Sequence, residues 1–220
     1  MRYNRCMDKQ LLALKDRIVV VTKNHPLTEI KPLYDLGFRR FGENRVQELL
    51  AKQDSGMEGI EWHMIGHLQR NKVRYVVPIC ALIHSVDSLA LLQDIDRQAA
   101  KDGRVMPCLI QVNVAAEATK FGIAPSQLRP LVSQAAGLDH VDIQGIMVIG
   151  PHVADPDRIR QVFTQGRQLF EDLKDVSQPN VHVRTLSMGM SQDYPLALEC
   201  GSTLLRLGHV MFGLSGGTMR

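Results

Sequence analysis

The residue best suited to covalent chemistry is Lys23, which ends an apolar run that begins at Arg17. The run is short and β-branched and does not alternate with polar residues, which is typical of a strand buried on both faces. A lysine at the end of such a strand lies where α/β folds collect their functional groups. Its primary amine could hold an aldehyde as an imine. A lone lysine at a strand end more often extends into solvent, so both interpretations stay open.

Two glycine-containing segments near the C-terminus could hold a phosphate, namely 186–191 and 205–213. Phosphate is bound by closely approaching backbone N–H groups and by hydroxyls, and glycine permits the close approach. Ser187, Gly189, Ser191 and Gly208 meet these requirements. Ordinary turn chemistry explains the same residues equally well.

Arg206 lies inside the last predicted strand, two residues before Gly208. An arginine in a barrel strand is rarely buried unless it is paired. One interpretation is a structural ion pair with Glu43 or Glu199. The other is contact with an anionic or heteroaromatic ligand.

Lys23, the glycine-rich segments and Arg206 together fit one ligand that carries an aldehyde, an aromatic nitrogen and a phosphate. Pyridoxal 5′-phosphate has all three groups. An alternative without any cofactor is an aldolase that forms a Schiff base between Lys23 and a sugar phosphate.

The elements that must position these residues alternate between strand and helix along the whole chain. Strands are predicted at 17–23, 39–42, 60–65, 81–85, 107–114, 142–149, 181–186 and 203–207. Helices are predicted at 28–36, 45–52, 69–76, 88–101, 125–136, 157–173 and 195–199, with Asp87 as the N-cap of the fourth. Eight such units without a long linker predict a single (β/α)8 TIM barrel that spans residues 1–220, with 1–16 as an N-terminal extension.

Composition narrows the class of protein. The chain has 220 residues, of which 45% are hydrophobic, and its net charge is +3 with basic residues spread among acidic ones. This pattern predicts neither nucleic-acid binding nor a membrane span, and the densest basic stretch, 70–74, is typical of a solvated helix face. Cys80 and Cys108 lie in apolar segments and are predicted in the core. His63 and His67 have the spacing of a zinc pair but lack its helical context, so no metal site is predicted.

Eight motifs resemble the pyridoxal phosphate homeostasis proteins, the single-domain relatives of the alanine racemase barrel. The resemblance runs from Ile18 to Gly213 in the family's order. The motifs are 22–26, 41–48, 62–72, 84–87, 111–113, 120–122, 187–191 and 206–213. The pair Asn24-His25 departs from the family's usual residues.

The resemblance implies a fold-type III barrel that holds pyridoxal 5′-phosphate as an imine on Lys23. It further implies that Arg206 faces the pyridine nitrogen and that Asn44 lies near the cofactor. The phosphate would be held by Ser187 and by amides around Met188, Gly189, Gly208 and His209.

The same reasoning predicts a carrier of the cofactor without robust turnover. A racemase needs an acid–base group on each face of the substrate carbon, and its relatives take the second from another domain. Of the four tyrosines, only Tyr194 is predicted near the mouth of the barrel, where the C-terminal ends of the strands meet. A weak amino-acid racemase stays open as an alternative. We also expect a cytoplasmic monomer that delivers or buffers the cofactor for apoenzymes.

Overall fold

A computed structural model describes residues 9–117, 120–151 and 153–213. Its centre is one sheet of eight strands that pair in parallel, in the order β7-β6-β5-β4-β3-β2-β1-β8. The strands are β1 (Ile18–Val21), β2 (Arg40–Glu43), β3 (Glu61–Met64), β4 (Cys80–Val86), β5 (Met106–Val112), β6 (Val141–Val148), β7 (Val181–Ser187) and β8 (Leu205–Leu207).

Helices connect the strands on the outside of the sheet. They are α1 (Leu27–Asp35), α2 (Val46–Lys52), α3 (Val73–Val76), α4 (Leu89–Lys101), α5 (Leu128–Gln134), α6 (Pro156–Leu173), α7 (Tyr194–Glu199) and α8 (His209–Phe212). Short 3-10 helices lie at Lys15–Arg17, Arg70–Lys72 and Pro125–Gln127. The alternation confirms the predicted βα units, because a parallel pair needs a crossover that a helix supplies.

Backbone hydrogen bonds join the two ends of the sheet and close the barrel. Ser187 forms an isolated parallel bridge with Leu204. The N–H of Met188 donates to the carbonyl of Leu204 at 3.2 Å, and the N–H of Arg206 donates to the carbonyl of Gly189 at 3.0 Å. This seam between β7 and β8 brings together the two segments that the sequence predicts to bind phosphate.

The inside of the barrel is filled by a small apolar cluster, separate from the larger core between sheet and helices. The cluster consists of Val19, Leu82, Leu109, Met147 and Leu204. Each is contributed by a strand or by the residue just before one, and the next side chain on the same face lies two residues further along. The C-terminal ends of the strands form the mouth of the barrel. Two residues after Leu204, Leu82 and Leu109, and therefore nearer the mouth, lie Arg206, His84 and Gln111.

Several predicted element boundaries were wrong. Ser88, not Asp87, caps α4, since its side chain accepts a hydrogen bond from the N–H of Leu91. The carboxylate of Asp87 lies 3.2 Å from His67 instead. The eighth strand begins at Leu205 rather than at 203, because Thr203 and Leu204 bond to Leu186 in the seam.

The prediction of core cysteines is confirmed for Cys80 and Cys108, which are both buried. Burial raises the pKa of the Cys80 thiol to about 12 and that of Cys108 further still. Of the helices in the described part of the chain, none combines the length and the apolar composition that a membrane span requires.

Candidate functional site

Lys23 stands at the mouth of the barrel, in a turn that follows β1. The turn is closed by a hydrogen bond from the N–H of His25 to the carbonyl of Thr22, at 3.0 Å. Lys23 is exposed, and among the described residues its amine has no hydrogen-bond or ion-pair partner. The amine is therefore accessible to a ligand that enters the mouth.

The part of the mouth formed by β8 is next to the strand that leads to Lys23. β1 pairs with β8, with Val19 opposite Arg206 and Val20 opposite Leu207. A Cβ atom added to Gly208 would lie 3.6 Å from Cβ of Val21, two residues before the lysine. Strand pairing thus places Lys23 at the same end of the barrel as Arg206 and Gly208, although β1 and β8 lie near opposite ends of the chain.

Arg206 points into the barrel and is 5% exposed. Nη1 donates to the carbonyl and the hydroxyl of Ser187 at 2.8 and 2.7 Å, and Nη2 donates to the carbonyl of Val148 at 2.9 Å. Burial lowers the pKa of the guanidinium to about 10, so it stays charged at pH 7. Three of its five N–H groups are used in these bonds, and the other two have no partner in the described ranges.

Of the two interpretations of Arg206, the structural ion pair with Glu43 or Glu199 is wrong. Glu43 bonds to Lys52, with Nζ and Oε1 2.6 Å apart, and Glu199 pairs with Arg160 on the outside of the barrel. The strand geometry explains the difference, because Arg206 shares the barrel interior with Ser187 while Glu43 lies against a helix. Asp193 is the carboxylate whose charge acts on Arg206, and burial raises the pKa of Asp193.

A chain of buried polar groups leads from Arg206 across the barrel. Nδ1 of His84 lies 3.0 Å from Oγ of Ser187, and Nε2 of His84 lies 2.8 Å from Nδ1 of His63. Burial lowers the pKa of His63 to about 3 and that of His84 well below its usual value, so both rings are neutral. Each ring can then donate one hydrogen bond and accept one, which satisfies the chain without a buried imidazolium.

The structure brings the two segments predicted to bind phosphate, 186–191 and 205–213, together at the seam, and this place is called the corner below. Part of its hydrogen-bonding capacity is already used. The hydroxyl of Ser187 is fully buried between His84 and Arg206. The N–H of Met188 belongs to the seam, and the N–H of Gly208 donates to Oγ of Ser191 at 3.2 Å.

The amides of Gly189 and His209 have no hydrogen-bond partner within the described residues. These two N–H groups are therefore available as donors in the corner. The phosphate roles of Ser187, Met188 and Gly208 stay predictions, and each would require a bond to be exchanged.

Asn44 follows β2 at the mouth and is half-buried. Its Oδ1 is buried and has no hydrogen-bond partner among the residues that the structure describes. The backbone of Asn44 touches Gly66, where an added Cβ would lie 2.1 Å from the Asn44 carbonyl oxygen. The close approach holds the end of β2 against the loop after β3 and keeps an unsatisfied acceptor at the mouth.

Sequence reasoning missed Lys52, which is 8% exposed and reaches β1 and β2 from α2. A signal was available, since Lys52 continues the spacing of the other buried residues of this helix, Val46 and Leu49. A lysine on the apolar stripe of a helix needs a buried partner. The partner here is Glu43, which is fully buried.

The histidine pair His63 and His67 does not come together. His63 lies inside the barrel, whereas His67 is exposed and stacks on Phe121 with ring centroids 4.0 Å apart. Within residues 9–117, 120–151 and 153–213, no group of three or more histidine, cysteine or acidic side chains is arranged to hold a metal ion. The two histidines therefore make separate structural contacts.

The fold and this mouth define a single parallel α/β barrel with a lysine after β1 and a glycine-rich corner after β7 and β8. The family model described as "Alanine racemase, N-terminal domain" matches residues 2–216. The chain belongs to this family, and within it to the pyridoxal phosphate homeostasis proteins. The protein of that name from Aquifex aeolicus is 38% identical over 198 residues, which cover 90% of this chain and 86% of the relative.

Solved structures agree with this assignment. PipY from Synechococcus elongatus PCC7942, solved without pyridoxal phosphate, is 38% identical with a TM-score of 0.86, and the match covers 94% of this chain and 99% of PipY. PipY has also been solved with pyridoxal phosphate bound, at 36% identity and a TM-score of 0.83, with 94% and 100% covered. The alanine racemase of Clostridium difficile shares the fold at 16% identity and a TM-score of 0.79, over 96% of this chain and 58% of the racemase.

Proposed function

We propose that this chain binds pyridoxal 5′-phosphate reversibly, as an imine on Lys23, and acts in the homeostasis of that cofactor. One observation carries the proposal. Lys23 follows β1, which pairs with β8, and β8 carries the buried Arg206, which has no carboxylate within ion-pair distance among the described residues. Relatives at 34–39% identity are named for this role, and PipY has been solved with the cofactor.

The residues present fit the proposed ligand. In the described residues, two N–H groups of Arg206, the Oδ1 of Asn44 and the amides of Gly189 and His209 have no hydrogen-bond partner at this end of the barrel. The Oδ1 of Asn44 is also buried, and because buried polar groups are normally hydrogen-bonded, it supports a ligand here. A phosphate would lie at the corner formed by Ser187, Met188, Gly189, Gly208 and His209. A pyridine nitrogen would face Arg206.

Arg206 determines what the bound cofactor could do. The cofactor supplies an aldehyde carbon and an electron-withdrawing ring. A guanidinium donates a hydrogen bond to the ring nitrogen but does not give up its proton at neutral pH. The ring would then withdraw electrons less strongly than it would beside a carboxylic acid. The arrangement favours holding the cofactor over stabilising a carbanion.

The tyrosines of the described residues support a carrier. Tyr194 is buried in the hydrophobic core rather than displayed at the mouth. The hydroxyl of Tyr34 donates to the carbonyl of Glu58, and that of Tyr75 accepts from Arg74. Tyr3 lies outside the described residues. We propose that the chain has no robust racemase activity. Incubation of the loaded protein with L-alanine or L-serine in D2O tests this, because rapid exchange of the α-proton would contradict it.

Borohydride trapping tests the imine. The protein is incubated with pyridoxal 5′-phosphate, reduced, digested and analysed by mass spectrometry. We expect the modification on the peptide that contains Lys23 and a visible absorption band before reduction. Both should be lost in Lys23→Ala and retained in Lys31→Ala, a control lysine that pairs with Asp35 on the surface. Labelling confined to other lysines would contradict the proposal, as would persistence of the band in Lys23→Ala.

The wider setting is also part of the proposal. We propose that residues 1–220 form one domain that works as a cytoplasmic monomer and that it buffers the cofactor or delivers it to apoenzymes. Sedimentation velocity of the purified chain tests the oligomeric state. Transfer is tested by mixing the loaded protein with an apoenzyme and following its recovery of activity beside an equal amount of free cofactor.

A further inference from the structure

We propose that Lys52, together with Glu43 and Glu48, positions Lys23 for imine formation by holding the residues on either side of it. The proposal rests on the function proposed above and assigns positioning residues to the same site. The three side chains come from the end of β2 and from α2, and none of them is among the predicted cofactor ligands.

The first contact point is Thr22, the residue before Lys23, which is fully buried. Its hydroxyl donates to Oε1 of Glu43 at 2.6 Å, and its carbonyl accepts from Nζ of Lys52 at 2.8 Å. Its N–H donates to the carbonyl of Gly42 at 3.0 Å. Every polar group of Thr22 is therefore bonded, and these bonds hold the backbone that enters Lys23.

The second contact point is Asn24, the residue after Lys23. Its N–H donates to Oε2 of Glu48 at 2.7 Å. Asn24 has a φ of +64°, in the left-handed region that asparagine tolerates better than most residues. The conformation is still less favourable than an extended one, and the bond to Glu48 offsets part of that cost. The chain therefore makes a sharp turn immediately after Lys23.

Lys52 connects the two contact points. Its Nζ lies 2.6 Å from Oε1 of Glu43 and 3.5 Å from Oε2 of Glu48. Burial raises the pKa of Glu43, and the hydrogen bonds from Lys52 and Thr22 oppose that rise. Without Lys52, the Glu43 carboxyl would tend to take up a proton, and the Thr22 carbonyl would keep only the N–H of His25 as a partner.

The contacts act on the backbone around Lys23 and leave its amine unbonded in the described part of the chain. An ion pair with only a structural role would not need contacts to the residues on both sides of Lys23. Buried ion pairs also add little to stability by themselves. Holding an amine close to its reacting position can change a rate by about 10- to 100-fold. We expect an effect of this size on imine formation.

The test compares Lys52→Met with the control Arg45→Met, which removes an exposed cation 3.9 Å from the same Glu48. Stopped-flow absorbance follows imine formation after mixing with pyridoxal 5′-phosphate. Competition measures binding of pyridoxine 5′-phosphate, which has no aldehyde. In Lys52→Met we expect imine formation to slow by about 10- to 100-fold, with the affinity for pyridoxine 5′-phosphate within about 2-fold of the wild type. Arg45→Met should behave like the wild type.

A second pair of variants keeps the test decisive if Lys52→Met does not fold. Glu48 is partly exposed, and Glu48→Gln retains an acceptor for the Asn24 N–H while Glu48→Ala removes it. We expect slow imine formation and faster hydrogen exchange of the Asn24 amide in Glu48→Ala, and near wild-type behaviour in Glu48→Gln. Exchange is measured on the protein without cofactor, so this readout does not depend on loading.

The outcomes separate the two proposals. Wild-type rates in Lys52→Met and Glu48→Ala, or unchanged exchange of the Asn24 amide, would overturn the positioning role alone. Absence of an imine in the wild-type protein would overturn the proposed function.

Discussion

Arg206 donates two hydrogen bonds to Ser187, one to its carbonyl and one to its hydroxyl, at 2.8 and 2.7 Å. The two residues belong to β8 and β7, which meet at the seam through few backbone bonds. The side-chain contact therefore supports barrel closure as well as the site. It also gives the Ser187 hydroxyl a role in the protein without cofactor.

Ser187→Ala should destabilise the cofactor-free protein by about 1–3 kcal/mol, because it leaves His84 and one Arg206 N–H without their buried partner. Urea unfolding followed by circular dichroism measures the change. Ser133→Ala, on an exposed position of α5, should lie within about 0.5 kcal/mol of the wild type. Unchanged stability of Ser187→Ala would mean that the hydroxyl serves only a ligand.

Stability should fall as the pH decreases below about 6.5, because the unfolded state then binds protons that neutral, buried His63 and His84 exclude. The pKa of His63 is about 3 in the folded state, so its contribution is lost through the window between about 6.5 and 3. Between pH 7 and pH 5 we expect His63 to contribute a loss of about 2 kcal/mol, and His84 contributes a loss of the same sign. Urea unfolding at several pH values should show a shallower slope in His63→Gln. An unchanged slope in His63→Gln would refute the account.

Gly189→Ala should destabilise the protein by about 3 kcal/mol or more, from backbone strain and overpacking together. Gly189 has a φ of +95°, and an added Cβ would lie 2.5 Å from Cβ of Ala197. Gly103→Ala is the matched control, with a φ of +63° and no atom within 4 Å of the added Cβ. We expect Gly103→Ala to lower the free energy of unfolding by about 1–2 kcal/mol, which measures the cost of the backbone strain alone. Equal losses in urea unfolding would show that the corner can relax.

Cys80 and Cys108 should resist thiol reagents in the folded protein, because both are buried and burial raises the pKa of each thiol. The thiolate is the reactive species, so little is present at neutral pH. Brief labelling with iodoacetamide and peptide mass spectrometry should find Cys200, which is partly exposed, modified well before the two buried thiols. Labelling should become uniform in denaturant. Early modification of Cys80 would indicate local opening of β4.

The amino-acid sequence alone determined the order of eight βα units and therefore the barrel, because strand and helix periodicities are local properties of the chain. It also located Lys23 and Arg206 at the mouth, since parallel strands place their C-terminal ends on one side. Tertiary structure decided the partners of the polar groups. Arg206 with Ser187, His84 with His63 and Lys52 with Glu43 are contacts between separate elements.

Those contacts depend on strand register and side-chain direction once the barrel has closed, which no local pattern encodes. For this reason one of the two interpretations that the sequence left open, an ion pair of Arg206 with Glu43, was wrong, although both residues lie on barrel strands. Arg206 faces the interior, whereas Glu43 is turned toward Lys52 on α2.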